Sequence, residues 1–186
     1  MTPRLTTERL VLRGWRDDDK PPYAQLNGDP AVMEHFPSAL TPRQSDEMVD
    51  RMAVAWETRG YGLWAVEVVD SGEFIGFVGL SSPNWTAPFT PCIEVGWRLA
   101  RAAWGHGYAP EAARAALGWG FDYLDPPNDE FVSFTTVDNL RSRRVMDKVG
   151  MVRSPADDFD HPMLPEWAGS RHVLYRIDRS RAADLL

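Results

Sequence analysis

The pattern of apolar and polar residues along "RLVLRGW", Arg9–Trp15, alternates like a strand. The next stretch, "DDDKPPYAQLNGDP", carries helix-start and turn signals. From Pro42 to Thr58 the period lengthens to that of a helix, with Met48, Met52, Ala55 and Trp56 as its apolar stripe and Gly60 closing it. Two strand-like arms, Tyr61–Val69 and Glu73–Ser81, flank Asp70-Ser71-Gly72 and predict a hairpin. A further strand is predicted at Cys92–Ala100, a helix from about Pro110 to Leu124, and a strand at Glu130–Val137. "DNLRSRRVMDKVG" reads as a short helix with Asp138 as N-cap and Gly150 as stop. Arg171–Ile177 is the last clear strand. The order is strand, two helices, three strands, helix, strand, helix, then one or two strands. Consecutive strands in the middle imply antiparallel pairing, so the expected class is mixed α+β.

Composition adds limits to this picture. The 186 residues contain no repeat, low-complexity tract or composition break, which predicts a single domain over residues 1–186. An apolar fraction of 44% and a charged fraction of 25% are those of an ordinary globular protein. A net charge of −7 and a pI near 5.1 argue against a general nucleic-acid binder. Met1–Leu12 has no uninterrupted apolar stretch of signal-peptide type, and no run is long enough to span a bilayer. The single cysteine, Cys92, excludes an internal disulfide and fits a reducing cytoplasm; it reads as a buried strand residue. His161 and His172 lack metal-ligand spacing, so no metal site is expected.

Two stretches carry chemistry. In "VGWRLARAAWGHGYAPEAARAAL", Val95–Leu117, a strand gives way to Gly105-His106-Gly107 and then to a helix, a place where backbone N–H groups and the helix dipole favour an anion. A tight turn that merely permits close packing fits the same residues. A dinucleotide fingerprint fits poorly, because Pro110 stands where its third glycine belongs, and no Gly-x4-Gly-Lys-Ser/Thr loop exists. In "DNLRSRRVMDKVGM", Asp138–Met151, a capped helix burying Val145, Met146 and Val149 explains most residues. It leaves over the polar Asn139 just after a strand and Ser142 one turn later on the same face.

Taken together, in this order and separation, the two stretches resemble the GNAT acetyltransferases, and most closely the branch of ribosomal-protein N-terminal acetyltransferases. The branch's cofactor loop Trp-Gly-x-Gly-Tyr-Ala is present as Trp104-Gly105-His106-Gly107-Tyr108-Ala109. Its second motif, Asn-x-x-Ser…Lys-x-Gly-Phe/Met, is matched by Asn139, Ser142, Lys148, Gly150 and Met151. "TERLVLR", "EVGWRL" and "RHVLYRI" support the match, which covers nearly the whole chain.

The resemblance implies a mostly antiparallel central sheet flanked by helices and splayed between two strands, here Cys92–Ala100 and Glu130–Val137. The gap would take the pantetheine arm of acetyl-CoA, and the N–H groups of Trp104 to Ala109 its pyrophosphate. Arg101 and Arg144 are candidates for the nucleotide phosphates. The implied reaction is direct attack of a primary amine, on a protein N-terminus or a small molecule, on the thioester. A backbone N–H near Leu99 would serve the oxyanion, Asn139 would bind the cofactor arm or an ordered water, and Glu94 is the candidate base, through water or directly. An outward glutamate in a salt bridge is the alternative reading of Glu94. The family often protonates the thiolate with a tyrosine seven residues after the motif asparagine; Met146 stands there, and Ser142 takes that role in this branch. A catalytically idle acyl-CoA-binding or interaction module is the competing reading. Homodimers are common in the branch. Specificity is expected from the first two helices and from "PADDFDHPMLPEW", whose Asp157, Asp158 and Asp160 are candidates to hold a cationic amine. Trp15, Trp56, Trp64 and Trp85 are candidates to line a pocket, with core packing as the default.

Overall fold

The alternation near the N-terminus becomes a strand pair in the computed structural model, which describes residues 1–183. Leu5–Thr6 (β1) pairs with Leu10–Arg13 (β2), and β2 with Leu63–Val68 (β3), all antiparallel. The predicted hairpin is β3 with Phe74–Ser81 (β4), and β4 then pairs with Glu94–Leu99 (β5). A second antiparallel group consists of Glu130–Thr136 (β6) against Arg171–Asp178 (β9), with the short strands Val152–Arg153 (β7) and Phe159–Asp160 (β8) on β9. The sheet runs β1-β2-β3-β4-β5-β6-β9-β7, with β8 also on β9.

The two groups meet where β5 lies parallel to β6, and that junction is a single register pair, Glu94 opposite Val132. The Val132 N–H donates to the Ile93 carbonyl at 3.0 Å. Beyond this rung the strands part. The expected splayed, mostly antiparallel sheet is therefore present.

Helices Lys20–Gly28 (α1) and Pro42–Arg59 (α2) cover one face. The Thr41 side chain accepts from the Gln44 N–H to cap α2, and Gly60, at φ 75°, ends it in the left-handed conformation. Its buried stripe is Ser45, Val49, Met52 and Trp56; Met48 and Ala55, expected to belong to it, are half-buried at its margins. On the opposite face Tyr108–Tyr123 (α3) buries Ala112, Ala113, Ala116, Leu117, Gly120 and Phe121. Its small residues bring it close to the sheet: a Cβ on Gly120 would lie 2.7 Å from the Phe131 ring and 2.9 Å from Leu80.

Leu140–Val149 (α4) follows β6. Its N-cap is Asn139, not Asp138 as the sequence suggested: the Asn139 Oδ1 accepts from the Ser142 N–H at 3.1 Å. Gly150, at φ 90°, closes it. Arg179–Ala183 (α5) ends the described chain. Trp56 and Trp64 lie in the main core, edge-on at 4.5 Å, while Trp15 packs against Tyr23 and Phe74, and Trp85 against Phe89, Phe134 and Phe159. Among the described residues no helix is long and apolar enough to cross a membrane.

Candidate active site

The opening between β5 and β6 is the floor of a cleft of about 540 Å³. Its walls are the glycine loop with the start of α3, the side of α4 that carries Asn139 and Ser142, and the segment between α1 and α2. That segment is tied across the opening. His35 Nδ1 lies 3.3 Å from the Thr136 hydroxyl at the end of β6, and Glu34 pairs with Arg141 of α4.

At the loop, a short 3-10 turn, Arg101–Ala103, leads to Trp104. Gly105 and Gly107 both sit at φ 81°, where a side chain would be strained, so the loop turns its backbone toward the start of α3. The N–H groups of Gly105, His106 and Gly107 make no backbone hydrogen bond among the described residues. Those of Tyr108 and Ala109, in the first helical turn, have no intrahelical acceptor by geometry. This set of donors at a helix N-terminus suits a phosphate. Helix α3 starts at Tyr108, two residues before the proline that marked it in the sequence, because Gly107 already supplies the turn.

Along β5 the alternation places Glu94, Gly96 and Arg98 on the face toward α1 and α2. Glu94 borders the cleft and accepts a hydrogen bond from the Ser81 hydroxyl at 3.4 Å. Burial pushes its carboxyl up to about 8, against the smaller downward pull of Ser81. Gly96 leaves room: a Cβ there would meet only the Glu94 carboxyl, at 3.7 Å.

The backbone of β5 alternates in the other plane. Ala100 donates its N–H to Ile75, beside β4. The N–H and carbonyl of Leu99 therefore turn toward the opening, where Trp104 Nε1 donates to the carbonyl at 2.9 Å and the N–H is left facing the cleft.

Across the cleft Asn139 uses both ends of its amide. The Oδ1 caps α4, and the Nδ2 donates to the Thr135 hydroxyl on β6 at 2.9 Å. Ser142 is half-buried, and its hydroxyl has no partner among the described residues. Met146, buried, lines the same wall and has no proton to give.

The fold thus brings Glu94, Leu99, Trp104, Gly105, Gly107, Tyr108, Ala109, Asn139, Ser142 and Arg144 to one cleft. Two candidates lie outside it. Arg101 is exposed in the 3-10 turn and does not line the cleft. The exposed His106 ring stacks on Tyr108 at 5.4 Å, and its carbonyl accepts from Arg9 at 2.9 Å. None of Trp15, Trp56, Trp64 and Trp85 reaches the cleft; Trp97 and Trp104 do. The acidic loop is not there either. Its aspartates are held by arginines: Asp157 by Arg176 at 3.0 Å, Asp158 by Arg153, and Asp160 by Arg171 at 3.4 Å. Cys92 is buried, and burial pushes its thiol up to about 11, so it is not a ready nucleophile. Arg98, Arg141, His35 and Phe36 also line the cleft. For Arg98 the two-residue spacing from Glu94 through Gly96 was the available signal; the others depend on how the α1–α2 segment folds back.

A family model described as "Acetyltransferase (GNAT) domain" matches residues 9–152. The chain belongs to the GNAT acetyltransferases, a family of acyl-transfer enzymes. It is 35% identical to the Bacillus subtilis (strain 168) protein YkkB over 157 residues, 80% of this chain and 84% of that one. The acetyltransferase of Agrobacterium tumefaciens str. C58 superposes with a TM-score of 0.75 at 26% identity, covering 95% of each chain. RimL, a ribosomal L7/L12 α-N-protein acetyltransferase solved in complex with coenzyme A, shares the fold at a TM-score of 0.74 and 16% identity, with 95% of this chain and 98% of that one covered.

Proposed function

We propose that the protein transfers the acetyl group of acetyl-CoA to a primary amine by direct attack. The observation that carries this reading is the parting of β5 and β6 beside a loop rich in free N–H groups, with Glu94, Asn139 and Ser142 on the walls of the same cleft. In this reading the pantetheine arm lies along the open edge of β5, and the loop from Trp104 to Ala109 holds the pyrophosphate. Arg144 lies within reach of the nucleotide phosphates. RimL, which shares the fold, holds coenzyme A.

The neutral amine attacks the thioester carbon, the C–N bond forms, and the Leu99 N–H stabilises the oxyanion. As the C–S bond breaks, the amine proton passes to the Glu94 carboxylate, directly or through water. The thiolate takes a proton from Ser142, which recovers one from solvent. A base with a pKa near 8 is well matched to a step run near neutrality. A thiol leaving group has an intrinsic pKa near ~8.5 and needs only modest assistance, so a serine suffices where a tyrosine is absent. The setting in this reading is a reducing cytoplasm.

Calorimetric titration with acetyl-CoA, followed by thiol release with a panel of amines, tests the proposal. Micromolar binding and amine-dependent release are expected; a folded protein that does not bind acetyl-CoA would sink it. Met146 at the tyrosine position favours one rival, a binding module without turnover. That rival predicts binding with no thiol release from any acceptor.

A further inference from the structure

Arg98 is a cation without a counter-charge. It stands two positions beyond Gly96 on the cleft face of β5 and borders the cleft. Its guanidinium stacks on the Phe36 ring at 4.2 Å and lies 5.6 Å from the Phe77 ring. Nη1 donates to the Oδ1 of Asn27 at 2.7 Å, a neutral acceptor, and Nε is shielded from solvent with no partner at all. Among the described residues no carboxylate comes within ion-pair distance.

The contrast with Arg13 shows what this chain does when an arginine is only structural. Arg13, buried where Arg98 is half-buried, is bracketed by Asp19, at 2.8 Å from both Nη1 and Nη2, and by Glu67, at 2.8 Å from Nε. Removing a guanidinium from water without an anion beside it is costly, and burial accordingly pulls the Arg98 pKa down. A fixed cation that borders a cavity and lacks its anion is the arrangement of a receptor for one. Its position relative to Glu94 matters as much. The two lie on one face about 13 Å apart between Cα atoms, from four strand steps of ~3.3 Å. Gly96 leaves the space between them open.

We propose that Arg98 selects the acceptor: the amine that is acetylated carries an oxyanion, carboxylate or phosphate-like, which pairs with this guanidinium while the amine lies toward Glu94. This rests on the acetyl-transfer reading above and narrows it, because a polyamine or other purely cationic acceptor would meet a like charge here.

Matched acceptors that differ only in the anionic group test it: amino acids against their carboxamides, aminoalkyl phosphonates against the corresponding alkylamines, and spermidine as a cationic control. Thiol release gives kcat/KM, and melting temperature with coenzyme A present gives binding without turnover. In the wild-type protein the anionic member of a pair is expected to be favoured roughly a hundredfold. The carboxylate and phosphonate arms tell which oxyanion is preferred.

Arg98→Met is expected to bring that ratio to within a few-fold of one, and Arg98→Lys to give an intermediate value. Asn27→Asp preserves size and places a carboxylate against Nη1, so it is expected to erase the preference with Arg98 still present. Acetyl-CoA affinity should stay unchanged in all three. Equal or better use of the neutral or cationic members overturns the inference. So does the absence of both turnover and thermal shift with every anionic member, or a ratio that survives Arg98→Met and Asn27→Asp. Failure of the wild-type protein to bind acetyl-CoA overturns instead the reading on which the inference rests.

Discussion

Glu111, in the first turn of α3, grips Arg9 beside the first strands: its Oε2 accepts from Arg9 Nε at 2.7 Å and its Oε1 from the Arg9 N–H at 3.0 Å. The same Oε1 accepts from the Thr7 hydroxyl at 2.6 Å, and Arg9 Nη1 reaches on to the His106 carbonyl. The edge of the sheet and the glycine loop are thus fixed to each other by residues outside the cleft. Burial alone would raise the Glu111 pKa, but the bonds from Thr7 and Arg9 outweigh it and hold the carboxyl below its ordinary value. A depressed folded pKa gives stability that is present above the unfolded value near 4.5 and lost as pH falls through the folded one. Glu111→Gln should therefore lower the melting temperature at pH 7, and the gap to wild type should close below about pH 4.5. Acetyl-CoA affinity should fall several-fold in the variant, read by calorimetry.

Glu94 has the opposite sign. Its folded pKa, about 8, lies above the unfolded value, so the folded state holds a proton that the unfolded state releases. Stability should decline as pH rises from about 4.5 to 8, and Glu94→Gln should flatten that decline in a series of melting curves. Activity should show the converse. kcat/KM should rise with pH through an apparent pKa near 8, and Glu94→Gln should lose that limb while keeping any limb that belongs to the amine itself.

Ser142 and Asn139 separate by their side-chain chemistry. Ser142→Ala should reduce kcat by roughly tenfold to a hundredfold, at the lower end for an acid catalyst because the thiol leaves easily, with KM for acetyl-CoA within about twofold. Single-turnover thiol release measures this directly. Asn139→Ala should cost about 1 kcal/mol through the lost cap, seen in denaturant unfolding. Asn139→Asp keeps the capping oxygen and should recover most of that stability. If Asn139 also holds the cofactor arm, Asn139→Asp stays impaired in KM for acetyl-CoA; full recovery would reduce its role to the cap.

Two glycines of α3 separated only by Trp119, Gly118 and Gly120, should respond in opposite directions. An added Cβ at Gly118 meets nothing within 4 Å, so Gly118→Ala should stabilise α3 by about 0.5–1 kcal/mol. At Gly120 the same methyl drives into Phe131 and Leu80, and Gly120→Ala should cost about 1–3 kcal/mol. Thermal melts of the two variants side by side check the contrast.

Long periodic runs carried most of the architecture in the sequence. The β3–β4 hairpin and α2 fall within about two residues of the predicted limits because alternation, a turn and a closing glycine all agree there. β1, β7 and β8 have two residues each, too few to show a period, and exist only because a longer strand offers its edge. The shift of the cap from Asp138 to Asn139 depends on the exact path of the chain after β6, since both residues can cap. The motif residues of the cleft were legible as a pattern. Arg98 as an uncompensated charge was not, because its isolation depends on Asn27 and Phe36 arriving from α1 and the segment after it.

The single rung between Glu94 and Val132 also gives the molecule a built-in reporter. The amides of Trp97 and Leu99, turned toward the opening, lack the strand partner that protects their neighbours on the β4 side and should exchange with deuterium fastest within β5. A ligand lying along that edge supplies the missing partner. Comparing exchange at these two amides with and without acetyl-CoA then reads its seating residue by residue, without turnover and before any acceptor is known.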